Sequence, residues 1–152
     1  MPATRTPSPR TVHATAIAIG AAGVLLRGPS GVGKSDLALR LIEDGAKLVA
    51  DDRVTLVRAG DRVEMRAPER LRGRIEARGI GIVTVPWRAR AMLVLVVDLV
   101  PSESVERMPR AARCTLLGVA VPHVRIAPFE ASAPAKVRLA VARVRRDSTA
   151  RT

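Results

Sequence analysis

The stretch Gly23-Val24-Leu25-Leu26-Arg27-Gly28-Pro29-Ser30-Gly31-Val32-Gly33-Lys34-Ser35 and the segment after it, Asp36 to Gly45, decide the fold class. Gly28 to Ser35 fit the phosphate-binding pattern G-x-x-x-x-G-K-[ST]. The glycines let the backbone curl so that successive N–H groups face phosphate oxygens, where a side chain would block the approach. Lys34 supplies a mobile cation for the terminal phosphates, and the Ser35 hydroxyl is of the right type to ligate Mg²⁺. Gly23 to Arg27 reads as a short buried strand. Asp36 to Asp44 reads as a helix with Leu37, Ala38, Leu41 and Ile42 on one face, closed by Gly45. Strand, loop and helix in that order predict an α/β phosphate-loop domain, with the positive end of the helix dipole added to the anion site.

The 152 residues suit one domain with a real core. With one Trp, one Phe and no Tyr, that core must be aliphatic. Cys114 is the only cysteine, which excludes an intramolecular disulfide and a cysteine metal cluster and predicts a small buried side chain. The formal charge of +12 fits an acidic partner, nucleic acid or a membrane surface, or an arginine-rich composition with no special partner. The scarcity of aromatic residues leaves no stacking platform for single-stranded nucleic acid, so nucleic acid is not the expected partner. Arg5 and Arg10 before the apolar run Ala14 to Leu26 imitate a signal peptide. That run leads directly into the phosphate loop without a clear cleavage site. No apolar run is long enough to span a bilayer, and the expected location is cytoplasmic.

Met1 to Arg10, with three prolines, is expected to be a disordered leader, residues 11–146 the catalytic domain, and 147–152 a disordered tail. Between them the patterns predict strands at Val12–Ile19, Lys47–Ala50 and Met92–Leu99, and a hairpin of Val54–Arg58 with Arg62–Arg66. Short strands are predicted at Thr115–Val121 and Val124–Ala127, around Pro122. Pro101–Arg113 reads as a loop or short helix, and Ala135–Arg146 as a helix.

A phosphate loop needs a carboxylate for the metal or the attacking group. Asp98 ends the aliphatic run Leu93-Val94-Leu95-Val96-Val97, like a Walker B strand. Asp51-Asp52 follow a shorter strand just past the loop's helix. Adjacent carboxylates near phosphate repel unless a cation lies between them or one is protonated. A pair can also divide the work, one on metal and one taking a proton. Motif logic alone leaves Asp98 and Asp51-Asp52 equally open.

Four segments, in order, resemble the HPr kinase/phosphorylase family: Val12-His13-Ala14, the loop Gly28 to Ser35, Leu48-Val49-Ala50-Asp51-Asp52-Arg53-Val54, and Glu76-Ala77-Arg78-Gly79-Ile80-Gly81-Ile82. Leu117-Gly118-Val119-Ala120-Val121-Pro122 is a looser match. The resemblance implies a domain akin to nucleotide-dependent phosphoenolpyruvate carboxykinases. It implies an ATP- and Mg²⁺-dependent kinase for a serine of the phosphocarrier protein HPr, with dephosphorylation by inorganic phosphate as a second activity. It implies that Gly28, Pro29, Ser30, Gly31, Val32, Gly33, Lys34 and Ser35 hold phosphates, that Ser35, Glu76 and Asp52 serve the metal, and that Asp51 accepts the serine proton. It further implies that His13 lies near Asp51 and tunes it, that Arg78 stabilises the transferring phosphoryl group, and that Asp98 is structural. Family members commonly form hexamers. This chain is expected to be a short form, without the separate N-terminal domain and with reduced C-terminal helices, which leaves its own assembly open. A phosphate-loop kinase for another substrate, and a basic nucleotide-sensing module, are the alternative functions.

Overall fold

The computed structural model describes residues 6–150, so part of the expected leader and of the expected tail lies outside the described residues. In chain order the strands are β1 (Arg10–Val12), β2 (Thr15–Ile19), β3 (Ala22–Arg27), β4 (Lys47–Ala50), β5 (Val54–Ala59), β6 (Arg62–Arg66), β7 (Arg74–Ala77), β8 (Gly81–Thr84), β9 (Arg90–Leu99), β10 (Ala112–Leu116) and β11 (Val119–Ile126). Helix α1 (Lys34–Glu43) follows the phosphate loop, and α2 (Ala133–Ala150) ends the described chain. Nine strands form one mixed sheet in the order β1-β5-β6-β9-β3-β2-β4, with β11 also on β9 and β10 on β11. Among the described residues, the parallel strand pairs are β3–β9 and β9–β11, with one further parallel bridge between Leu48 and Trp87. β7 and β8 make a separate antiparallel hairpin.

The sheet is apolar on both faces. On one, Ile17, Val24, Leu26, Leu95 and Val97 pack against Leu37, Ala38 and Leu41 of α1 and Val137 and Val141 of α2. On the other, Ala16, Leu25, Val49, Leu56, Met65 and Val96 form a second cluster drawn from strands and their connections, without a helix. β9 serves both cores because successive strand side chains alternate between faces, and its register against β3 shifts between Gly23 and Val24, where Leu93 and then Leu95 are the partners. Such a bulge redirects the alternation of side chains. Gly23 permits the contact: a Cβ there would lie 2.5 Å from the Met92 carbonyl oxygen.

The departures from the sequence patterns have local causes. Val12–Ile19 is two strands, because the chain bends at His13 and Ala14 so that β1 pairs with β5 while β2 pairs with β3 and β4. The predicted strand Thr115–Val121 is interrupted by a tight turn at Leu117 and Gly118, with φ of 48° and 80°, which makes β10 and β11 a hairpin. Pro122 lies inside β11, opposite Arg113 and just before the pairing of His123 with Val96 begins. α2 runs from Ala133 to Ala150, longer at both ends than the predicted Ala135–Arg146, so the expected tail begins as helix. Arg10, assigned to the leader, opens β1. Cys114 is half-buried, not buried, and its burial pushes the thiol pKa up.

Candidate active site

The loop leaves the end of β3 and closes on α1, whose N-cap Gly33 has φ 106° and carries no capping side chain. The first N–H groups of a helix have no intrahelical acceptor. An uncapped N-terminus on a glycine loop therefore offers donors and a positive dipole to an anion. Lys34 folds back over the loop: its Nζ donates to the carbonyl oxygens of Gly28 (2.8 Å) and Pro29 (3.1 Å). Its side chain is buried, and burial lowers its pKa, opposed by the negative charges of Asp52 and Asp51. The acidic pair thus faces the loop's cation, as the sequence pattern requires.

Asp51 sits at the end of β4 and is half-buried. Its Oδ1 accepts the hydroxyls of Ser35 (2.7 Å) and Thr15 (3.0 Å), and its Oδ2 accepts the Glu76 backbone N–H (3.2 Å). One carboxylate therefore ties together the loop, β2 and the β7–β8 hairpin. A Ser hydroxyl and a carboxylate in contact are hard oxygen ligands of the kind Mg²⁺ takes beside substrate phosphates, so the residues present fit that ion.

Asp52 points elsewhere. The Arg53 N–H donates to the Asp51 carbonyl at 2.8 Å across Asp52, whose φ is 69°. This is a γ-turn with a left-handed central residue, a rare and strained form. It swings the Asp52 carboxylate onto His13 Nε2. His13, expected near Asp51, makes its contact with the adjacent Asp52, because the turn separates the two carboxylates. Both are solvent-accessible, with side chains 51% and 66% exposed.

The other expected metal residues do not converge. Ser35 meets Asp51 and not Asp52, and Glu76 reaches the site by its backbone while its side chain is exposed. Among the described residues, no group of three or more His, Cys, Asp and Glu is arranged to hold a metal. Arg78 stands exposed at the turn between β7 and β8 and has no hydrogen bond or ion pair with any described residue. Of the remaining loop residues, Pro29, Ser30 and Gly31 are exposed and Gly28 and Val32 half-buried.

Asp98 is tied to two neighbouring strands. Arg27 donates to it through Nε (2.8 Å) and Nη2 (3.0 Å), and His123 Nε2 lies 2.6 Å from Oδ2. Burial raises the Asp98 pKa, but the bonds from Arg27 and His123 outweigh it and hold the carboxyl below its ordinary value. The Asp98 bond raises that of Arg27. The cluster fastens β9 and β11 to the residue just before Gly28. Sequence reading missed His123 and Thr15. Thr15 had one signal, a hydroxyl in an otherwise apolar run; His123 had none, since its partner lies on a neighbouring strand.

The family profile described as the HPr serine kinase C-terminal domain matches residues 6–147. An HPr kinase/phosphorylase of Burkholderia lata is 40% identical over 127 residues, 76% of this chain and 39% of that protein. One of Burkholderia cenocepacia is 39% identical with the same coverage. The solved structure of the HPr(Ser) kinase/phosphatase from Coxiella burnetii superposes with a TM-score of 0.82 at 28% identity, covering 92% of this chain and 99% of that one. The chain spans about two fifths of the length of these curated relatives. With a mixed α/β sheet, a phosphate loop and this profile over nearly all of its length, the chain belongs to the HPr serine kinase C-terminal domain family.

Proposed function

We propose that this protein transfers the γ-phosphoryl group of ATP to a serine hydroxyl of the phosphocarrier protein HPr, in the cytoplasm and with Mg²⁺. The observation that carries the reading is the acidic pair at the loop, one carboxylate on Ser35 and the other on His13.

In this reading the uncapped N-terminus of α1 and Lys34 bind and orient the phosphates. Lys34 exchanges its two loop carbonyls for phosphate oxygens, a modest rearrangement of one flexible side chain. Ser35 and Asp51 would hold the metal, which would supply neutralisation of phosphate charge. The geometry favours Asp52, not Asp51, as the proton acceptor. Asp51 is half-buried and already accepts three donors, whereas Asp52 is exposed to an incoming protein and has His13 behind it. The serine oxygen bonds to phosphorus as its proton passes to Asp52, and the bond from the γ-phosphorus to the β-bridging oxygen breaks to release ADP. His13 orients the carboxylate. The exposed Arg78 on its hairpin serves the transferring group's charge. The reverse reaction uses the same groups: an oxygen of inorganic phosphate bonds to the phosphoserine phosphorus, the bond from phosphorus to the serine oxygen breaks, Asp52 returns the proton to that oxygen, and pyrophosphate is released.

Intact-mass assays with HPr and Mg²⁺-ATP test the division of labour. Asp52→Asn should lower transfer by about 10²- to 10⁴-fold with ATP affinity nearly unchanged. Asp51→Asn should lower Mg²⁺-dependent ATP binding as well. If Asp52→Asn transfers normally and Asp51→Asn alone abolishes transfer with binding intact, the two roles are reversed. Absence of transfer by the wild-type chain that still binds ATP would point to another substrate.

A further inference from the structure

We propose that Phe129 is the platform on which the base of the bound nucleoside triphosphate stacks, an inference that rests on reading the loop as a nucleotide site. Phe129 is the chain's only phenylalanine, and it is 71% exposed. A single exposed apolar side chain is ordinary in itself; what distinguishes this ring is where it lies. Its position is specific. A Cβ built on Gly33 would lie 3.0 Å from the Phe129 Cζ and 3.1 Å from Cε1, so the ring edge rests on the loop backbone beside Lys34.

The ring's placement is also fixed from behind. Arg40 of α1 donates to the carbonyl oxygen of Pro128 and, at 3.4 Å, to that of Glu130, the two residues flanking Phe129. Arg40 is in turn paired with Asp36 at 3.1 Å. The helix that carries Lys34 and Ser35 therefore also anchors the segment that carries the ring. Phosphates held at the loop tether their nucleoside within reach of Gly33, and a preplaced aromatic face there gains stacking energy at little ordering cost. Every base has a π-face, so the platform binds bases with little discrimination. The chain would then read phosphates tightly and the base loosely.

The test is calorimetric titration of the full chain and of Phe129→Ala, Phe129→Leu and Phe129→Tyr with Mg²⁺-ATP, Mg²⁺-GTP and Mg²⁺-tripolyphosphate, which has no base. Phe129→Ala should weaken ATP and GTP alike by about tenfold, from the usual strength of base–aromatic stacking. Tripolyphosphate affinity should stay unchanged. Phe129→Tyr should restore ATP affinity and Phe129→Leu should not. Unchanged ATP affinity in Phe129→Ala would overturn the proposal and leave the ring to a protein partner. An equal loss for ATP and tripolyphosphate would overturn it too, since the ring would then only shape the loop at Gly33. Wild-type protein that binds neither probe would refute the nucleotide reading of the loop itself, a result distinct from either.

Discussion

Replacing Asp98 by Asn asks whether the carboxylate at the end of the aliphatic run is a strut or a metal ligand. The side chain keeps its shape and loses its charge. It is held by two bonds from Arg27 and one from His123, and the three side chains are 28%, 33% and 14% exposed in the order Asp98, Arg27, His123. Removing one partner of a fully buried ion pair costs about 3–5 kcal/mol, because the other charge is left uncompensated. Water reaches about a third of Arg27 here, so screening reduces the expected loss to about 2 kcal/mol. For a chain of this size that is a fall of about 4–8 °C in melting temperature. The pH dependence carries a sign. The folded-state pKa of Asp98 is depressed below 3.8, so its contribution is present above that value and disappears as pH falls through the lower folded value. The stability gap between wild type and Asp98→Asn should therefore narrow on acidification below 3.8. Thermal melts at several pH values measure it, with ATP titration and HPr transfer alongside. A variant that melts with wild type, binds nucleotide and no longer transfers phosphate would refute the argument and make Asp98 the working carboxylate.

Three further outcomes follow from the geometry. At position 52, Asp52→Gly should be more stable than Asp52→Ala by about 1 kcal/mol in urea titrations, the reverse of the usual order, because the backbone there is left-handed. Lys34→Met should bind ATP about tenfold to a hundredfold more weakly, through loss of a charge-assisted phosphate contact. Its melting temperature should hold or rise, since a desolvated ammonium is removed. Leu41→Ala, at a fully buried position between α1 and the sheet, should cost about 2–5 kcal/mol in urea titrations.

The sequence was most legible where chemistry is local. Gly28 to Ser35 dictate their own conformation, and Leu37, Ala38 and Leu41 announce the buried face of α1 by spacing alone. β5 and β6 declared their hairpin through Ala59-Gly60-Asp61 between two apolar-polar runs. What stayed hidden depends on register. Thr115 to Val121 and Val124 to Ala127 read as strands around Pro122, yet the break falls at Leu117-Gly118, because turn chemistry at a leucine with positive φ has no sequence signature. The β7–β8 hairpin is not among the predicted strands, and its residues Glu76 to Ile82 enter only through their resemblance to the family segment. Its backbone reaches Asp51 through Glu76, a contact no side-chain pattern can show. The ion cluster of Arg27, Asp98 and His123 spans three strands that are far apart in sequence.

The site's central difficulty is that Asp51 and Asp52 are consecutive. In a regular strand their side chains would point to opposite faces, and only one could address the loop. Both charges nevertheless act on Lys34. The chain achieves this by ending β4 at Ala50 and turning tightly through Asp52, so that one carboxylate drops onto Ser35 and the other rises to His13. The bend at His13 and Ala14, which splits β1 from β2, brings the imidazole to that position. Two local departures from regular strand geometry, thirty-nine residues apart, therefore meet in one contact. Strain of this kind persists only where the surrounding structure over-determines it. Here Thr15, Ser35 and the Glu76 backbone all fix Asp51, so the strain falls on Asp52. In the proposed function, the carboxylate with bonding capacity left over is Asp52, and Asp51 is already satisfied by three donors, which is why the proton is assigned to Asp52.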